Sequence, residues 1–130
     1  MPFTRISLRA GKSPDFLAAL SRGLHAAMTE SFDVPVGDMF QVIHQHRPEE
    51  VAIDPTYLGG PRSEDFVLFH VTVGKSRSAA TKQDFYRRLV ERLSESPGVR
   101  PEDVMVVIST STADDWSFAC GVAAGGPART

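Results

Sequence analysis

A chain of 130 residues with 14 Lys+Arg against 16 Asp+Glu carries a formal charge of −2, and its basic residues are scattered, which argues against a nucleic-acid surface. The length suits one domain with a real core, no apolar run approaches the ~18 residues of a membrane span, and no basic-then-apolar leader is visible. The single cysteine, Cys120, excludes an internal disulfide, fits a reducing cytoplasm, and reads as a structural or incidental thiol in a small-residue stretch.

Residues Phe3 to Leu8 alternate, with Ile6 and Leu8 apolar against Arg5 and Ser7 polar, the period of a half-buried strand. The strand opens on Pro2, directly behind the initiator methionine. A small second residue lets that methionine be cleaved, so the mature chain is expected to begin with Pro2 and its secondary amine. Free α-amines titrate near pH ~8. Such a group can act as acid, base or nucleophile toward a carbonyl.

Gly11 ends the strand. Ser13-Pro14-Asp15 then supplies a serine cap, a first-turn proline and an acid at the positive end of the helix dipole. Phe16, Leu20, Leu24 and Met28 make an apolar stripe, so one face of this helix packs on a sheet. Val34-Pro35 marks a turn, and Met39 to Gln45 reads as a second strand, parallel to the first because a helix crosses between them.

Arg47 to Asp65 is a connector rich in Pro, Gly and charge. Its Leu58-Gly59-Gly60-Pro61-Arg62 stretch has neither the spacing nor the following helix start of a phosphate loop. A second set follows: strand Phe66 to Val73, loop Gly74 to Arg77, helix Ser78 to Ser94, turn Pro97 to Pro101 and strand Val104 to Thr110. Trp116-Ser117-Phe118 begins a short terminal segment, and the Gly125-Gly126-Pro127 tail is expected to be mobile.

The chain also matches itself without a gap at one offset, 65 residues (103 − 38 = 65). It pairs Asp38 with Asp103, Ile6 with Val71, Leu8 with Val73, Ser13 with Ser78, Leu24 with Leu89, Val34 with Val99 and Ile43 with Ile108. Strand positions, a helix cap and a buried helix face are kept together. The reading is an α/β (α+β) fold of two fused β-α-β units with pseudo-twofold symmetry: repeat one at about 2–46, connector 47–65, repeat two at about 66–110 and a terminal segment 111–130. Both helices cover one face of a four-stranded sheet. The other is left bare, and with stretches such as Phe66-Val67-Leu68-Phe69 apolar on both sides, assembly through that face is expected.

Pro2-Phe3, Val34-Pro35 with Asp38, the run His44 to Glu49, Arg62 to Phe69, the basic loop Lys75-Ser76-Arg77-Ser78 and Asp115-Trp116-Ser117-Phe118 together resemble the tautomerase superfamily, and within it the malonate semialdehyde decarboxylases. The resemblance runs from Pro2 to about Phe118. It implies a homotrimer, no cofactor, and catalysis by an amino-terminal proline, an aspartate after the first helix and two arginines in the loop after the third strand. Pro2, Asp38 and Arg77 match three of these, while the other arginine falls on Lys75, or on Gly74 if the gap is placed differently. Arginine grips a carboxylate as a planar fork, whereas lysine offers a mobile point charge.

The implied activity is decarboxylation of a small β-oxo acid, malonate semialdehyde, to acetaldehyde and CO2. The same groups also suit a hydratase or dehalogenase of 3-haloacrylic acids, an enol–keto tautomerase, or an interaction protein on the same scaffold. Trp116 and Phe118 are candidates for an apolar pocket wall. His25 is an auxiliary candidate, since related dehalogenases use a histidine in this region on water. His44 and His46 share a strand face but lack a third ligand with sensible spacing, so no metal is expected.

Overall fold

The computed structural model describes residues 1–125. Most of the tail expected to be mobile, Gly126 and Pro127 included, lies outside the described residues. Strands β1 (Pro2–Arg9), β2 (Gln41–His46), β3 (Val67–Val73) and β4 (Val104–Thr110) form one sheet in the order β2-β1-β3-β4. Helices α1 (Pro14–Ser31) and α2 (Ala79–Glu95) cross over within each half. A small hairpin, β5 (Ser117–Ala119) and β6 (Val122–Ala123), turns through Cys120 and Gly121, both at positive φ, 58° and 69°. β2 begins two residues later than the expected Met39, although Phe40 O already accepts from Thr4 N of β1 at 3.0 Å, and β3 begins one later than the expected Phe66, whose N closes the preceding turn onto Ser63 O at 3.2 Å.

Both helices start where their serines place them. Ser13 accepts a hydrogen bond from Phe16 N and Ser78 one from Thr81 N, each at 3.1 Å, which satisfies an otherwise orphaned amide of the first turn. The offset in the sequence is also the register of the sheet. Thr4 lies opposite Gln41 in the first parallel pair, and their mates Phe69 and Val106 lie opposite each other in the second. β1 and β3 run antiparallel with Arg5 opposite His70. Those two residues are repeat mates, so the pseudo-twofold axis passes between them.

Alternation sends Ile6 and Leu8 of β1 and Val67, Phe69, Val71 and Val73 of β3 into one core with Leu20, Leu24 and Met28 of α1 and Phe85, Leu89 and Leu93 of α2. Phe32 stacks on Phe85 with ring centroids 4.5 Å apart. The helices close tightly at Gly23, where a β-carbon would lie 2.8 Å from Leu93 Cδ2.

The open face is more mixed than the expectation of strands apolar on both sides. Leu68, Val42, Met105 and Val107 face it, but so does a polar group at its centre. Arg5 Nη1 donates to His44 Nε2 at 3.2 Å, and His70 Nε2 lies 2.9 Å from Ser109 Oγ. No helix among the described residues is long and apolar enough to cross a membrane.

Candidate active site

The chain terminus lies at the end of the sheet where β1 begins and β3 stops. Pro2 is buried there opposite Val73, and Gly74 N donates to Met1 O at 3.0 Å, so the antiparallel ladder continues one residue past the strand. The terminal amine, on Met1 N, lies 3.2 Å from Asp38 Oδ2 with both groups largely shielded.

Asp38 reaches that amine because of how α1 ends. The backbone turns left-handed at Asp33 (φ 54°), a conformation aspartate tolerates better than most residues. Val34 is buried, and Asp38 N closes a turn onto Pro35 O at 3.0 Å. His25 on α1 holds the same turn, its Nε2 2.7 Å from Val36 O, while its Nδ1 is buried without a partner. The expected auxiliary histidine thus contacts the turn that carries Asp38, one step behind the amine.

The other wall comes from repeat two. Arg77 Nε donates to Phe32 O at 3.3 Å, its Nη1 donates to Lys75 O at 2.5 Å, and the guanidinium lies 4.7 Å above the Phe32 ring. Stacking and two hydrogen bonds fix its plane and leave three of the five N–H donors of an arginine uncommitted. Arg77 and Lys75 line a cleft of about 440 Å³ with Met1, Thr29 and the Asp33–Pro35 turn.

Behind Met1 stands the aromatic wall. A β-carbon on Gly74 would lie 2.7 Å from Met1 Cε and 3.0 Å from Trp116 Nε1, so this glycine leaves room for both the Met1 side chain and the indole. Trp116 Nε1 donates to Ser111 Oγ at 2.7 Å, and Ser111 Oγ donates to Val73 O at 2.9 Å, which ties the indole to the end of β3. Phe118 stacks on Trp116 and also meets Phe40, each at 5.5 Å between centroids.

Met1 is therefore the point on which Pro2, Asp38, Lys75, Arg77 and Trp116 converge, with Phe118 one layer out. The sequence reading missed Gly74 as a space-maker and Ser111 as the indole's anchor. A loop glycine and a strand-end serine carry no local sign of such roles.

Two models of a tautomerase enzyme family match this chain, over residues 38–119 and 2–60. Probable tautomerase YusQ of Bacillus subtilis (strain 168) is 40% identical over 121 residues, covering 93% of this chain and 95% of that protein. A malonate semialdehyde decarboxylase, whose structures are described as a basis for decarboxylase and hydratase activities, is 34% identical with a TM-score of 0.87 over 92% of each chain. A second malonate semialdehyde decarboxylase, inhibited by 3-bromopropiolate, is 31% identical with a TM-score of 0.85 over 92% of this chain and 91% of that one.

Proposed function

We propose that this chain, which belongs to the tautomerase family, is a cofactor-free decarboxylase of a small β-oxo acid, malonate semialdehyde, working through the amine of Pro2 once Met1 is removed. The observation that carries the reading is that Asp38 lies 3.2 Å from the nitrogen of Met1, the residue directly ahead of Pro2, while Lys75 and Arg77 line a cleft of about 440 Å³ with that same residue. The likeness to two malonate semialdehyde decarboxylases at 34% and 31% identity supports it.

The chemistry needs an electron sink and an aligned bond. Arg77, with its plane set by Phe32 and with Lys75 adding positive potential, takes the substrate carboxylate. The ammonium of Pro2, which takes over the terminal charge near Asp38 once Met1 is removed, donates a proton to the aldehyde oxygen as the bond to the carboxylate carbon breaks. The electron pair of that bond becomes the carbon–carbon double bond of an enol, and CO2 leaves. Protonation of the terminal enol carbon and loss of the hydroxyl proton give acetaldehyde. Alternatively, neutral Pro2 adds to the aldehyde and loses water, the iminium accepts the same electron pair as CO2 leaves, and the resulting enamine is protonated on carbon and hydrolysed to acetaldehyde and free Pro2. Trp116, stacked on Phe118, places an apolar surface beside Gly74 at the end of β3, next to the terminus.

A second reading, an enol–keto tautomerase, is favoured by the 40% identity to a probable tautomerase and by Lys75 in place of an arginine. A tautomerase needs a proton shuttled by the amine but no strict alignment of a breaking carboxylate bond, so a point charge serves it. Incubation with malonate semialdehyde, the 3-chloroacrylates and phenylenolpyruvate, followed by proton NMR, separates the readings. Acetaldehyde supports the first, phenylpyruvate alone the second, and malonate semialdehyde formed from chloroacrylate a hydratase.

The same reading includes a trimer assembled through the open face. Val42, Met105 and Val107 are each about two-fifths exposed there and gain from being covered.

A further inference from the structure

The repeat extends further than its strands. The turn Pro48–Glu50 closes with Glu50 accepting from Arg47 N at 2.8 Å, and Ala113–Asp115 closes with Asp115 accepting from Thr112 N at 2.9 Å. Arg47 and Thr112, like Glu50 and Asp115, are repeat mates. The same offset then makes Val51 the mate of Trp116 and Ile53 the mate of Phe118. The pocket wall at the terminus therefore has a counterpart at the opposite end of the sheet, and a cleft of about 480 Å³ lies there, lined by Val51 and Ile53.

Only half of the duplicated site is open. Lys12, the mate of Arg77, is ion-paired with Asp65. Asp103, the mate of Asp38, is fully buried and takes hydrogen bonds from Ser63 N at 2.6 Å, Ser63 Oγ at 2.7 Å and Arg100 Nε at 3.1 Å. Where the first repeat has Pro2, the second has Val67, whose nitrogen is an internal strand amide. The connector has filled the polar half with its own groups. The apolar half keeps a floor of Leu8, Phe66 and Leu68 beneath an aliphatic wall.

Two cations edge this second cleft. Arg9 stands where the first repeat's mate is Gly74, and Arg62 comes from the connector. Arg9 pairs at 3.6 Å with Glu64, a side chain 84% exposed, so the pair is weak and easily exchanged. Arg62 spends Nη1 on Asp54 O at 3.0 Å and keeps other donors. The other acid at the edge, Glu50, is turned to Arg47.

We propose that this cleft is a second binding site, for a monocarboxylate with a branched or aromatic body, held by Arg9 and Arg62 and not turned over. Its volume falls in the usual range for small-molecule sites, roughly 300–1,000 Å³. Among the described residues this end has no chain-terminal amine, and the Lys12 ammonium is held by Asp65, so the ligand leaves unchanged. The pseudo-twofold exchanges the two ends of the sheet. An assembly on the open face around a threefold axis crossing it therefore treats both ends alike, and what leaves the proline end accessible leaves this one accessible too.

The test uses full-length assembled protein, 3-phenylpropanoate as the probe, and amide chemical shifts at Ile53, Phe66 and Leu68 as the readout, which needs no turnover. Saturable shifts are expected, unchanged in Arg77→Ala. Arg9→Gln and Arg62→Gln should each weaken binding about tenfold, the loss of one charge-assisted contact. Ile53→Glu, at an exposed position, should abolish it, and 3-phenylpropanamide should bind more weakly than the acid. Absence of saturable shifts, their loss in Arg77→Ala, or indifference to both arginine substitutions would overturn the proposal.

Discussion

Asp38 and Asp103 stand at the same place in the two halves of the chain and have opposite partners. Asp103 is closed off by Ser63 of the connector and by Arg100 of its own repeat, whereas Asp38 faces the nitrogen of Met1 at 3.2 Å. The repeat places a carboxylate at both positions, and among the described residues only the first lies beside a chain-terminal amine.

That contrast separates stability from activity. Burial would raise the Asp103 carboxyl, but the hydrogen bonds from Ser63 and Arg100 outweigh it and hold the group below the ordinary aspartate range. Its contribution is thus present above the unfolded value, near pH ~4, and is lost as pH falls through the lower folded value. Asp103→Asn should cost about 2 kcal/mol at neutral pH and flatten the acid limb of stability. Asp38→Asn should leave the melting temperature nearly unchanged and cut kcat on the order of a hundredfold. Thermal melts from pH 3 to 7, beside kinetics on both variants, check the pair.

Arg77→Ala removes a pre-oriented cation, which should lower kcat/KM on the order of a hundredfold, about 3 kcal/mol. Lys75→Ala should cost less, because Lys75 only adds potential. Lys75→Arg should raise decarboxylation relative to tautomerisation by supplying a second fork. Unchanged kinetics in Arg77→Ala, with circular dichroism confirming the fold, would move the carboxylate site elsewhere.

Gly74→Ala places a methyl in the space shared by the terminus and the indole. Its β-carbon would lie 3.0 Å from Trp116 Nε1, so the indole must give by a few tenths of an ångström against its bond to Ser111 and turnover should fall, while the core, which Gly74 does not enter, keeps its melting temperature within a few degrees. Trp116 fluorescence should change in the same variant. A fully active Gly74→Ala protein would show that the aromatic wall does not matter to catalysis.

Sedimentation should give a trimer at micromolar concentration, and Val107→Glu on the open face should weaken it. A stable wild-type monomer would remove the assembly and its reasoning.

Much of the fold was legible because it rests on local chemistry repeated in register. The serine caps at Ser13 and Ser78, the four-residue stripes and the alternation of Phe3 to Leu8 each specify an element within a few residues, and the ungapped offset carried the sheet register with it. The site was less legible. Asp38, Arg77 and Lys75 were singled out by resemblance, yet nothing near Gly74 or Ser111 in the chain reveals that each meets Trp116. Nor does the connector's composition show that Ser63 reaches a carboxylate 40 residues away. Such contacts are set by tertiary closure, which single-sequence periodicity does not encode. The 3-10 turns escaped as repeat members because their residue types differ between copies while their hydrogen bonds do not.

The central claim is that the amine of Pro2 does the chemistry, and the most direct measurement compares the protein with and without its first residue. Mass spectrometry should show the purified untagged chain lacking Met1, and that species should convert malonate semialdehyde to acetaldehyde. The same chain with Met1 retained, or extended by a short uncleaved tag, should fold and melt alike but show no turnover. Full activity in a chain whose Pro2 nitrogen remains in a peptide bond would contradict the account.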